Sequence, residues 1–156
     1  MLTLTLAVVG SAQTKSVVGK WKIASLQTPE MNIDLEDPAS VRKMMSDQME
    51  KGSGQKPDSA QLEMIVNMLT STFRDLRMEF TSAGVANFTV PNPAGEAKSE
   101  KGTYTADYAK GVLTTTMKDG KQDKKETFNI RFEGDYLILG KTGEGSSETL
   151  KLKKAN

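Results

Sequence analysis

Beyond Leu76 the sequence settles into a period of two and keeps it almost to the C-terminus, and few folds accept such a run. Leu76, Met78 and Phe80 fall on one side, with Arg77, Glu79 and Thr81 on the other. After the turn "TSAG" the same inner face continues through Ala86, Phe88 and Val90. "PNPAGEAKSE" is an exposed connection, followed by "GTYTADY", in which Tyr104, Ala106 and Tyr108 are aligned. "AKG" turns the chain into "VLTTTM", and Asp119-Gly120 is a strong short-range hairpin signal. "ETFNIRFE" predicts Phe128, Ile130 and Phe132 inside, with Asn129 and Arg131 outside. "EGD" and "TGEGSS" turn the last strands, which close with Leu150 and Leu152 inward. Short strands at regular spacing with tight turns predict an antiparallel meander, and a meander closes most simply into an up-and-down barrel.

Two segments precede this run. "SVVGKWKIASL" reads as a first strand with Trp21 and Ile23 on one face. "QTPEMNIDLEDP" reads as a loop punctuated by Pro29 and Pro38. Asp37 followed by Pro38 is an N-cap with proline at the first helical position. Val41, Met44, Met45 and Met49 then recur at helical spacing until "GSGQKP". Asp58 opens a second helix, with Gln61 at the capping-box position and an apolar stripe of Leu62, Ile65, Val66, Leu69 and Phe73. The expected fold is mainly β, about eight antiparallel strands, with a two-helix hairpin over about 37–75 inserted between strands 1 and 2.

A chain of 156 residues suits one domain with a real core. Its 21 basic and 20 acidic residues nearly cancel, so net charge gives no reason to expect nucleic acid as a partner. "KLKK" is the best candidate for a local basic patch, read instead as the solvent face of a protected last strand. Histidine and cysteine are absent. That removes Ser-His-Asp triads, thiol nucleophiles, imidazole shuttles, disulfides and zinc sites built on His and Cys. Glu79 and Glu133 fall on outward faces, and nothing near Tyr104 or Tyr108 would depress a phenol. The chain is therefore expected not to be an enzyme, and no cofactor or metal is expected. Asp34, Glu36 and Asp37 lack an EF-hand-type loop and are read as a solvated helix N-terminus.

The first residues, "MLTLTLAVVGSA", are uncharged and mostly apolar, too short to span a bilayer. Residues 1–12 read as a truncated signal peptide, with Gly10 and Ala12 as the small residues before cleavage and Gln13 as the mature start. The basic start is missing, so the natural start is expected upstream of Met1; the alternative is an extra N-terminal strand. The expected location is periplasmic or secreted, and with no cysteine after the apolar run a lipid-anchored lipoprotein is not expected. Residues 13–156 would form the domain.

Gly19-Lys20-Trp21 resembles the G-x-W signature of the lipocalin superfamily, and the hairpins behind it resemble the lipocalin-like domain proteins of secreted Bacteroidetes proteomes. The resemblance covers roughly Val17 to Lys154 and implies that Trp21 closes one barrel end, with Gly19 permitting close approach. The chain departs from lipocalins in its long helical insertion and in "TADY" standing where the family has T-D-Y. An arginine of the last strand stacks on the tryptophan in that family; here the strand offers only Lys151, Lys153 and Lys154. Two readings of the interior follow. In one, Trp21, Phe80, Phe88, Tyr104, Tyr108, Leu113 and Phe128 line a cavity for a small apolar ligand, capped by the Met-rich helices. In the other they are core, the hairpin covers a barrel end, and the protein is an extracytoplasmic module contacting an envelope or extracellular protein. An exposed stripe of Met44, Met45 and Met49 would mark the second.

Overall fold

The computed structural model describes residues 15–92, 96–119, 122–143 and 146–155. The candidate signal peptide lies outside them. The order is β1 (Gly19–Gln27), β2 (Asn32–Asp34), α1 (Pro38–Ser53), α2 (Ser59–Asp75), β3 (Arg77–Phe80), β4 (Val85–Val90), β5 (Lys98–Asp107), β6 (Val112–Asp119), β7 (Gln122–Glu133), β8 (Tyr136–Gly143) and β9 (Ser146–Lys154). From β3 onward each strand pairs antiparallel with the next, and β9 pairs back onto β1, closing an eight-stranded barrel from β1 and β3 to β9. Closure leaves these strands without a free edge to template aggregation.

The helical hairpin does not directly follow β1, as the sequence pattern predicts; it follows β2. The segment read as a loop turns at Thr28, whose hydroxyl accepts from Met31 N at 3.1 Å, and returns along β1 with Leu26 opposite Ile33. Three residues are too few to show a period of two, so only the complete burial of Ile33 betrays the strand. β2 and β3 lie along the same edge of β1, β2 against Ser25–Gln27 and β3 against Gly19–Lys22. Together they fill one strand position, interrupted by the helices.

A bulge in β1 also escapes pattern reading. The register against β9 shifts between Ile23 and Ser25, leaving Ala24 unmatched. One extra residue reverses which side chains face inward. Trp21 and Ile23 pack into the barrel core before the bulge, and after it Leu26 stands opposite Leu150, on the face that Leu150 turns to that core.

Both helices begin as their caps dictate. The Asp37 carboxylate accepts from Ala39 N at 3.2 Å with Pro38 next in line. Asp58 accepts from Ala60 N and Gln61 N at 2.9 and 3.2 Å. Each such cap satisfies N–H groups that the helix cannot, and contributes about 1 kcal/mol. α1 ends at Gly54, left-handed at φ 71°, where glycine carries no Cβ penalty. Ile33, Val41, Leu62 and Val66 form the helical core, and Met44, Met45 and Met49 pack against it. The barrel core holds Val17, Trp21, Ile23, Phe80, Leu113, Leu137 and Leu152 among others. Leu35 and Phe73 touch both, so the hairpin stands on the barrel near the β2 end of β1, away from Trp21. No helix among the described residues is long and apolar enough to cross a membrane.

Candidate functional site

The strand pleat brings most of the sequence-predicted lining residues together, but at different depths. Trp21, Phe80 and Leu113 are buried in the barrel core, with Phe80 1 % and Leu113 0 % exposed. Phe88, Tyr104 and Phe128 are partly buried and pack against that core. Phe80 is held edge-on by Tyr104 at 5.0 Å and by Phe88 at 6.3 Å between ring centres. The Tyr104 hydroxyl donates to the Thr81 carbonyl at 2.7 Å, and burial raises its pKa above the ordinary phenol value. These rings are bonded to one another and to main chain, as core residues are.

Tyr108 is not inward. It stands just past β5, 49 % exposed, because the strand ends at Asp107 and the alternation ends with it. Its hydroxyl lies 3.1 Å from Ser16 Oγ and accepts from Val17 N at 3.2 Å. From the other side, Trp21 Nε1 donates to the Val17 carbonyl at 2.7 Å. Both main-chain polar groups of Val17 are thus satisfied by side chains, and its own side chain is fully buried. Lys15 adds a bond from Nζ to the Gly134 carbonyl at 3.2 Å. The segment Lys15–Val18 therefore straps the Trp21 end of the barrel shut. Lys154 Nζ lies 5.5 Å from the Trp21 ring centre, a lysine in the place where the resemblance implied an arginine.

The opposite end differs in chemistry. Along β7 the inward phase of Ile130 and Phe128 continues to Glu126; along β8 that of Leu139 continues to Lys141; along β9 that of Leu150 continues to Glu148. Lys141 bonds Glu126 at 2.8 Å and stands opposite Glu148, while Lys124 reaches Glu126 at 3.1 Å. The Lys141 hydrogen bond, reinforced by Lys124, holds the half-buried Glu126 carboxyl below its ordinary pKa. Below this charged rim lie half-buried Phe88, Met117, Phe128 and Leu150. Gly102 is required here, because a Cβ would meet Thr116 O at 2.2 Å and Met117 Sδ at 2.5 Å. The rim was legible in principle: it needed only the inward phase of each strand carried past the last apolar residue.

Outside the barrel, the acidic cluster before α1 is dispersed. Asp34 accepts from Glu36 N at 3.0 Å and Asp37 caps α1. Glu36 receives Lys153 Nζ at 2.8 Å and the Tyr136 hydroxyl at 2.7 Å, and these bonds, Lys153 first, lower its pKa. No group of carboxylates among the described residues is arranged to hold a metal ion. An open groove of about 850 Å³ lies on the hairpin, lined by polar residues such as Asn32, Ser40, Asp47 and Gln48.

No family model matches the chain, and no curated protein matches it in sequence. Solved structures do. A duf4847 family protein from Bacteroides vulgatus superposes with a TM-score of 0.54 at 11% identity, covering 88% of this chain and 94% of that one. A lipocalin-like protein from Bacteroides uniformis gives 0.50 at 14% identity, covering 88% and 97%. At such identities the likeness is one of fold, and the fold is a lipocalin-like barrel with one wall strand split by a helical hairpin.

Proposed function

We propose that this is an extracytoplasmic, non-enzymatic protein that binds a small apolar ligand at the mouth of its barrel rather than in its closed interior. The observation that carries the reading is the depth profile. Toward the strapped end Val17, Phe80, Leu113, Leu137 and Leu152 are almost wholly buried, with Tyr104, Ala106 and Phe132 partly so, whereas at the other end Phe88, Met117, Phe128 and Leu150 all keep partial exposure beneath a charged rim. An apolar floor with a few polar groups around it is the usual make-up of a small-molecule site. Methionine at such a surface adapts to irregular shapes. Export is supported by the uncharged N-terminal run, and N-terminal sequencing of protein recovered outside the cytoplasm should begin at Gln13.

Native mass spectrometry of the protein purified from its source organism tests the binding reading. A bound small molecule is expected, and Met117→Glu, which puts a charge on the floor, should remove it. A reproducible apo mass, or a ligand indifferent to that substitution, refutes the site.

One observation favours the alternative, a protein-interaction module. Met44, Met45 and Met49 are not the exposed stripe, since they pack into the helical core, but Met64 and Met68 on α2 are 67% and 60% exposed. One turn apart, they form a neighbouring pair on the helix surface. A partner protein in the same spectrum, lost on Met64→Lys with Met68→Lys, would favour this reading.

A further inference from the structure

On the outer wall, β3, β1 and β9 set three cations side by side: Arg77 stands opposite Lys22, and Lys22 opposite Lys153. Like charges directly opposite one another destabilise a sheet unless an anion lies between them. The only carboxylate bonded to these groups among the described residues is Glu36, taken by Lys153 and Tyr136. Arg77 turns its guanidinium to the carbonyls of Arg74 and Leu76. Neither Lys22 nor Arg74 has a carboxylate partner among the described residues.

These groups surround a crevice. It has a volume of about 140 Å³, with Lys22, Arg74, Lys153 and Glu36 around a floor of Ala24 and Leu35. Organic-ligand pockets start at roughly 300 Å³, so the space suits a compact ion. An apolar floor lowers the local dielectric and strengthens attraction to an anion. Lysine and arginine both bind phosphate, arginine through its planar fork. We propose that the crevice between the outer face of β1 and α2 binds a tetrahedral oxyanion, as inorganic phosphate or as the phosphate of a larger molecule, with Lys22 and Arg74 as its principal contacts. Glu36 competes for Lys153 and limits the affinity. The proposal is independent of the ligand at the barrel mouth.

The test is isothermal titration of the full chain with inorganic phosphate at fixed ionic strength, with chloride as control. Saturable one-site binding is expected, at least tenfold weaker in Lys22→Gln with Arg74→Gln. Both side chains are on the surface, so the variant should keep its fold. Glu36→Gln should tighten binding several-fold, which generic screening cannot do. A parallel arm uses vesicles of phosphatidylcholine with or without phosphatidic acid: selective, variant-sensitive binding there identifies a lipid phosphate as the source, whereas phosphate binding alone identifies the free ion. No saturable binding in either arm, or binding unchanged by the double substitution, overturns the proposal.

Discussion

Trp21→Phe, alone and combined with Tyr108→Phe, measures the strap directly. The first substitution removes the donor to the buried Val17 carbonyl, a bond of 2.7 Å. Stranding a buried acceptor costs about 1–3 kcal/mol, and the smaller ring adds a packing loss, so about 2–4 kcal/mol is expected. Tyr108→Phe removes the acceptor for Val17 N at 3.2 Å. Tyr108 is 49% exposed, and water can replace it, so the cost should be only about 0.5–1.5 kcal/mol. The two residues hold the same backbone unit from opposite sides. Once one has let go, the second bond is worth less, and the double variant should fall short of the sum by about 0.5 kcal/mol or more. Urea unfolding followed by far-UV circular dichroism gives all corners of the cycle without relying on the tryptophan that is removed. Strict additivity, or a cost for Trp21→Phe under about 0.5 kcal/mol, would refute the strap as the closure of that end.

Leu113→Ala, at a fully buried barrel position, should cost about 2–5 kcal/mol in the same assay. Gly102→Ala should lower the midpoint by the equivalent of about 1–3 kcal/mol, because the obstructing Thr116 oxygen is backbone and cannot swing aside. Asp58→Ala should cost about 0.5–2 kcal/mol through loss of the α2 cap, and circular dichroism should show the helical loss. Glu126 has a pH signature: its folded pKa is depressed, chiefly by the Lys141 hydrogen bond. Its contribution is therefore full above the unfolded value of about 4.3 and is lost as pH falls through the folded value. Unfolding free energies measured from pH 7 downward should show a shallower acid loss in Glu126→Gln than in the parent.

Much of the architecture was readable because local signals and tertiary packing agree. The Asp37-Pro38 start, the Asp58 cap and the inward sets Phe128–Ile130–Phe132 and Leu150–Leu152 all follow from period and capping chemistry. The misses share one cause: they depend on partners distant in sequence. β2 is strand-like only because β1 and the helical core flank Ile33. The bulge at Ala24 exists to bring both halves of β1 into register with β9. Tyr108 follows the alternation of β5 by sequence, but the strand stops one residue earlier and the strap claims its hydroxyl. At the mouth, Glu126 and Lys141 occupy inward positions that a hydrophobic pattern cannot flag, since their burial is repaid by each other.

The shared strand position has an engineering consequence. Asp34 sits opposite Ser25 and Arg77 opposite Lys22, so two residues of β1, Ile23 and Ala24, separate the places where the chain leaves the wall and rejoins it. At about 3.3 Å per residue, a linker of two or three residues could join them along the direction both strands already run. The wall can thus be made continuous by excising everything from α1 to α2, leaving a minimal barrel with Ile33 and Leu35 nearer to solvent. The hairpin is in that sense a cassette: its sequence can diversify or be exchanged while the barrel keeps its register, and whatever it changes is changed at the rim.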